Sequence, residues 1–335
     1  MKILHLSTTG FSGGGAGRAA AALDHAMRRQ GTNSHLWCAG GMKFEVSRRA
    51  DRQLWRLLRS PSPTWRSPAY FGSLSARQID SFGADLVNLH WVTNGFLSIE
   101  EIGKIQTPII FSMYDMWVFS GTEHYSGDSP QERWRTGYTR SNRPAGERGL
   151  DLDRWTWQRK KDAWSPRPLI AASSHFAAMA RESALAEDWP ISRVPHLIDT
   201  DAMYPLSREM ARKSVGIPHD DPLILFVSSA GIGDERKGFD LLMKAATRAA
   251  TDTPRLRVLV IGPHEPTSQP INGVQVDFFG LARSDETLRL LYCAADVVAV
   301  PSRQDNMPLT AMEAHACGRA VVASGIGGLT DIVDH

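Results

Sequence analysis

Apolar positions along this chain fall in short runs. Residues 2–7 (KILHLS), 35–39 (HLWCA), 85–90 (DLVNLH), 108–113 (PIIFSM) and 168–172 (PLIAA) each gather a few aliphatic or aromatic side chains between turn-like or helical stretches. Short apolar runs bounded in this way predict strands buried on both faces. Residues 18–30 (RAAAALDHAMRRQ) predict a helix instead: they are Ala-rich, basic in the last turn, and followed by Gly31. The second half repeats the plan. Strands are predicted at 222–228, 256–261, 274–279, 296–300 and 320–323, and helices at 239–250, 285–294 and 308–317. Strands alternating with helices predict a mostly parallel sheet covered on both faces. The repeated plan therefore predicts an α/β protein of two Rossmann-like domains, residues 1–197 and 198–335, joined near the Pro- and Asp-containing turn at 195–205. Residues 114–149 break the pattern. They are rich in Gly, Ser, Arg and Trp, show no period, and predict a long loop that is either functional or disordered.

Composition narrows the classes. A length of 335 residues suits about two domains. Lys plus Arg number 38 and Asp plus Glu 36, a net charge of +2 that argues against a dedicated nucleic-acid binder. No apolar run approaches the roughly 18 residues of a spanning helix, and the N-terminus reads as a first strand rather than a signal peptide. Three cysteines, Cys38, Cys293 and Cys317, form no CxxC pair; they suggest a reducing cytoplasm and neither a disulfide framework nor a zinc site.

Candidate chemistry lies at the predicted strand ends. The first loop runs Ser12-Gly13-Gly14-Gly15-Ala16-Gly17 into a helix, a place where backbone N–H groups can meet an anion. Gly15-x-Gly17-x-x-Ala20 fits a loose dinucleotide fingerprint. The second strand, however, ends in Cys38-Ala39-Gly40-Gly41, without the acid that would hold a ribose 2′-OH, so an NAD-dependent oxidoreductase loses its support. A tight turn without ligand is the other reading of these glycines. The second motif is Gly231-Ile232-Gly233-Asp234-Glu235-Arg236-Lys237-Gly238-Phe239. Adjacent Arg and Lys at the mouth of a strand suit a diphosphate, though not in Walker A spacing; a solvated charged turn is the alternative. The third runs from Pro301 to Ala323 and holds Asp305 after a strand and Glu313 inside the next helix. Two carboxylates at one strand edge suit the hydroxyls of a sugar and a ribose, with the helix N-terminus adding donors for anions. Alternatively Asp305 caps the helix and Glu313 is solvated.

The run PSRQDNMPLTAMEAHACGRAVVAS resembles the acidic-x7-Glu motif of the GT-B glycosyltransferases, specifically retaining family 4. The segments STTGFSGGGAGRAA, LVNLHWV, YDMWVFSGTEHYSGD and DERKGFDLL match the same family in the same order, closest to its bacterial exopolysaccharide, colanic-acid-like and O-antigen branch. The resemblance implies two Rossmann-like domains facing across a cleft, with the usual C-terminal crossing helices missing from a shortened chain. It implies transfer of a sugar from a nucleotide diphosphate sugar to a hydroxyl of a glycan or polyprenyl-diphosphate-linked acceptor, with retention, no cofactor and no metal. Arg236 and Lys237 would hold the diphosphate and Asp305 the donor sugar's hydroxyls. Asn306, Met307, Pro308 and Leu309 would offer backbone groups, Glu313 would hold the ribose, and Leu281 would border the base. Gly13, Gly14 and Gly15 would approach the phosphate from the other domain, and Tyr114, Asp115 and His124 would lie on the acceptor side. The family usually has Glu at position 305, His at 114, and Asn-Gly at His196-Leu197. A non-catalytic nucleotide-sugar-binding subunit is the competing expectation. Asp151-x-Asp153 has metal-motif spacing but falls at the start of a Trp- and Lys-rich helix. Finally, residues 47–66 and 149–167 mix Arg and Lys with Trp, which suits either an anionic membrane surface on the inner face of the plasma membrane or solvated helix faces over core tryptophans.

Overall fold

The computed structural model describes residues 1–10, 14–59, 64–217 and 221–334. It divides into two compact units, Met1–Pro195 and His196–His335. The first contains β1 (Lys2–Ser7), α1 (Gly14–Arg29), β2 (Asn33–Cys38), α2 (Gly41–Trp55), β3 (Leu58–Arg59), α3 (Ala76–Ser81), β4 (Leu86–Leu89), α4 (Ile99–Lys104), β5 (Ile109–Met113), α5 (Arg133–Thr136), β6 (Arg148–Gly149), α6 (Leu152–Ala163), β7 (Leu169–Ala171), α7 (Ser174–Glu182) and β8 (Ile191–Arg193). Among the described residues its main sheet has the order β2-β1-β4-β5-β7-β8 and is parallel throughout. Strands buried from both sides carry the continuous apolar runs seen in the sequence: Leu4, Leu6, Val87, Leu89, Phe111 and Leu169 all lie in one core.

The second unit contains α8 (Arg208–Val215), β9 (Leu223–Val227), α9 (Phe239–Ala249), β10 (Arg257–Ile261), β11 (Thr267–Ile271), β12 (Val274–Gly280), α10 (Asp285–Ala294), β13 (Val297–Val300), α11 (Leu309–Ala316) and β14 (Ala320–Ala323). Its sheet runs β11-β12-β10-β9-β13-β14, with only the β11–β12 pair antiparallel among the described residues. β11 was not expected. Its TSQPI sequence is polar and mostly exposed, and Pro270 can sit there because the strand lies at the sheet edge.

The fold is GT-B in type: two largely parallel α/β sheets, one in each unit. β9 and β13 are parallel neighbours, so the loops that follow them leave the same, C-terminal edge of the second sheet. That edge is where open α/β sheets bind ligands.

Of the two expectations for residues 114–149, functional or disordered, the structure is against the second. Trp134 and Tyr138 are buried there, and the segment is tied down by buried charge. Lys160 of α6 donates to the carbonyls of Trp117, Ser120 and Gly121. Asp153 accepts from Arg66 at 2.5 Å and from the Thr122 hydroxyl, and Asp151 caps α6 while pairing with Arg133 at 2.8 Å. Both acids of the Asp151-x-Asp153 spacing thus serve packing. The tryptophans of the basic stretches divide: Trp157 and Trp164 are core, whereas Trp65 and Trp155 are exposed. Among the described residues no helix is long and apolar enough to cross a membrane.

Candidate functional site

Two loops of the second unit build the site. The first leaves β9 and ends in a 3-10 turn over Glu235–Lys237, started by Asp234, whose side chain accepts from the Arg236 amide. The second leaves β13 and enters α11 at Pro308. They are laced together through backbone and side chain. The Arg303 amide donates to the Arg236 carbonyl at 2.7 Å, and the Arg236 guanidinium donates to the Gln304 carbonyl at 3.2 Å. Arg303 forks onto Asp240 of α9 at 2.7 and 2.8 Å. Gly238 allows this approach. Its φ is +72°, and a Cβ there would stand 2.0 Å from the Pro301 carbonyl oxygen.

Asp305 lies at the centre. Lys237 Nζ donates to its Oδ2 at 2.6 Å, Ser302 Oγ donates to the same oxygen at 3.1 Å, and Arg236 stands 3.9 Å away. Burial by itself raises the carboxyl's pKa, but the charges of Lys237 and Arg236 win and hold it below the usual value. The 324–329 loop closes on the same residue: the Gly328 amide donates to the Asp305 carbonyl at 3.3 Å, and a Cβ on Gly327 would meet that oxygen at 2.3 Å. Asp305 therefore does not cap α11, which has no side-chain cap. Glu313 is buried in α11 rather than solvated, and accepts from the Tyr292 hydroxyl at 2.8 Å. Asn306, Met307 and Pro308 are buried between the two acids, and Leu309 opens the helix. Leu281, just past β12, is 57% exposed. Burial pushes the His196 imidazole down to about 4 although Asp305 pulls it upward, so His196 is neutral near pH 7.

The structure thus brings Arg236, Lys237 and Asp305 into direct contact and sets Glu313 on the adjoining helix. Sequence reasoning missed Ser302 and Tyr292. The hydroxyl three residues before Asp305 was a usable signal; Tyr292, inside the apolar run LLYCAA, gave none.

In the first unit Gly13 lies outside the described residues. Gly14 begins α1 with φ +76°, and among the described residues nothing stands within 4 Å of a Cβ placed on Gly15. Gly17 has another purpose: a Cβ there would lie 2.3 Å from the Gly10 carbonyl oxygen, so its smallness seats the helix on the loop. Tyr114, Asp115 and His124 gather beyond the ends of β4 and β5. His124 bridges Asp115 at 2.5 Å and Ser67 at 2.8 Å, and the Trp91 indole donates to Asp115 at 2.9 Å. The Tyr114 hydroxyl and His90 Nδ1 are 2.9 Å apart, and His90 Nε2 is 2.9 Å from His5 Nδ1. Burial holds His5 at about 4 and raises the Tyr114 phenol above its ordinary value. The run therefore joins neutral groups at pH 7 at its two ends.

One acid in this unit carries a pH signature. Burial, with Asp153 nearby, pushes Glu123 up to about 8 from its ordinary 4.5; Tyr138 donates to its Oε1 at 2.5 Å, while Oε2 is buried without a hydrogen-bond partner. Below pH 4.5 folded and unfolded chains both carry this proton. Between 4.5 and 8 only the folded chain keeps it, so this group's contribution to stability falls as pH rises through that window. Glu123→Gln is expected to remove that slope and to be relatively more stable at pH 8 than at pH 5. Urea unfolding of both proteins at the two pH values measures it; parallel pH profiles would rule the assignment out.

Residues 221–335 match the sequence model described as Glycosyl transferases group 1. Over 282 residues the chain is 30% identical to a D-inositol 3-phosphate glycosyltransferase of Nocardiopsis dassonvillei, covering 79% of this chain and 60% of that protein. The chain thus spans about three fifths of that relative's length. Among solved structures it is similar to sucrose-phosphate synthase from Thermosynechococcus elongatus, with a TM-score of 0.66 at 18% identity over 99% of this chain and 83% of the other. It is also similar to Anabaena HepE in complex with UDP and glucose, with a TM-score of 0.60 at 17% identity over 100% and 83%. In fold the chain is therefore a GT-B protein, and over residues 221–335 it matches the glycosyl transferases group 1.

Proposed function

We propose that the protein is a retaining glycosyltransferase of family 4 that moves a sugar from a nucleotide diphosphate sugar to a hydroxyl acceptor. The observation that carries this reading is the Lys237–Asp305 contact, with Arg236 beside it and Glu313 on the adjoining helix. Two cations and two carboxylates at one sheet edge match the demands of such a donor. Arg236 and Lys237 take the diphosphate and stabilise the charge that grows on it as the glycosidic bond breaks, which is the work a metal ion does elsewhere. Asp305 accepts from sugar hydroxyls and Glu313 from the ribose. Asn306, Met307, Pro308 and Leu309 supply backbone groups, and Leu281 borders the base.

The acceptor in this reading is a glycan or a polyprenyl-diphosphate-linked sugar of bacterial polysaccharide synthesis, handled by Tyr114, Asp115 and His124. The names of the relatives make an inositol phosphate the acceptor to test beside it. HepE was solved with UDP-glucose, which makes a UDP-sugar the first donor to try. The measurement is release of free nucleotide from UDP- and GDP-sugars with each acceptor class. Donor binding without release under any acceptor would favour a non-catalytic nucleotide-sugar-binding subunit.

An anionic membrane surface on the cytoplasmic side is the second partner in this reading. Trp65, Tyr70, Phe71 and Trp155 are exposed, with Arg52 5.7 Å from the Trp65 ring and Arg159 4.4 Å from that of Trp155. Co-sedimentation with phosphatidylglycerol vesicles is expected at low salt and should weaken as salt rises. An absence of binding at low salt would exclude this partner.

A further inference from the structure

Tyr292 sits near the end of α10 with no exposed surface, between the equally buried Leu291 and Cys293. A phenol in such a place must find a partner. Its hydroxyl crosses to the neighbouring helix and donates to Glu313 Oε2 at 2.8 Å. Glu313 is itself buried, so its carboxylate depends on donors for its charge. A carboxylate offers about four lone-pair sites, and the phenol takes one of them.

We propose that Tyr292 is a positioning residue of the donor site, fixing the Glu313 carboxylate so that the site selects a donor with intact ribose hydroxyls. The inference rests on the reading of Glu313 as the ribose acceptor. Tyr292 acts on the site through its hydrogen bond to Glu313. A carboxylate fixed by a strong donor meets a vicinal diol without first giving up rotamer freedom. Loss of the phenol oxygen removes one buried donor and loosens the orientation of the carboxylate. A ligand without the diol gains nothing from Glu313 and is insensitive to how it is held.

The test is calorimetric binding of UDP and GDP and of their 2′,3′-dideoxy counterparts to wild type, Tyr292→Phe, Glu313→Gln and the double variant. Phe keeps the ring and its packing; Tyr292→Met, similar in volume, stands in should the Phe variant fail to fold. With the nucleotide that wild type binds, Tyr292→Phe is expected to weaken the ribo form about five- to thirty-fold, the range for a hydrogen bond to a charged group. The dideoxy form should change little, and the substitution should cost nothing further in the Glu313→Gln background. An equal loss for both forms would mean that Tyr292 acts only through packing, which overturns the proposal. Unchanged binding by Tyr292→Phe beside weakened binding by Glu313→Gln overturns it too, while leaving the Glu313 reading intact. If Glu313→Gln keeps the full ribose preference, the Glu313 reading fails and the proposal with it. If wild type binds neither nucleotide, the donor site itself is misassigned.

Discussion

Lys237→Ala should lower turnover by about 30- to 1,000-fold, the effect of losing one charged partner of a developing anion. The donor KM should change much less. The ammonium stands 2.6 Å from Asp305, so on the proposed function a diphosphate would share it with that carboxylate or take it over. In the ground state the gain is therefore an exchange of one anionic partner for another. As the glycosidic bond breaks, negative charge builds on the leaving phosphate and the balance shifts toward it. Only interactions that strengthen in this way raise turnover. Asp305 would keep Ser302 at 3.1 Å and Arg236 at 3.9 Å, so the loop pair has other ties when Lys237 is removed. Steady-state kinetics with the matched donor decides the matter. Near-full turnover in Lys237→Ala would remove Lys237 from the chemistry.

The largest effect on stability is expected at Lys160. It is completely buried, and its ammonium donates to the carbonyls of Trp117, Ser120 and Gly121, the latter two at 3.1 and 2.8 Å. The Trp117 ring centroid lies 4.0 Å from the same nitrogen. Burial holds this amine's pKa well below the usual lysine value, against the opposing pull of nearby carboxylates such as Asp115 and Asp153. Met in its place keeps the volume but supplies no donor, so three turn carbonyls lose their partner at once. Unpaired buried groups of this kind cost about 1–3 kcal/mol each, and breaking a buried charged cluster about 3–5 kcal/mol in all. At about 2–4 °C per kcal/mol for a unit of this size, the first unit's melting midpoint should fall by roughly 10 °C. Tryptophan fluorescence follows it, since Trp117 and Trp164 lie beside the ammonium. A fall of less than about 2 °C would mean that water replaces the amine at little cost.

The repeated alternation of strand and helix was legible because strands buried on both faces must be largely apolar, as LILFV in β9 is. Arg236, Lys237 and Asp305 stood out for a related reason: charged residues at the mouths of such strands contrast with the apolar runs before them, and Glu313 follows eight residues on, inside α11. What could not be read was pairing. Nothing in the spacing of Lys237 and Asp305, 68 residues apart, says that they touch. The order of the 114–149 segment was hidden for the same reason. Its order comes from Arg66, Asp153 and Lys160, partners remote in sequence whose own neighbourhoods read as ordinary charged surface. β11 was hidden by its polarity, since an edge strand needs no apolar faces.

The lacing of the two loops has an electrical consequence. Arg236 pairs with Asp234 at 2.9 Å and Lys237 with Asp305 at 2.6 Å, so these four groups sum to zero charge before any ligand arrives. Two neutral pairs cast almost no field beyond a Debye length, so they contribute little to drawing an anion in from a distance. On the proposed function, discrimination for a diphosphate then arises at contact, where it competes with Asp234 and Asp305 for the two cations. Encounter with the donor should accordingly proceed at a rate that ionic strength barely alters, unlike the capture of phosphate by a bare cationic cleft.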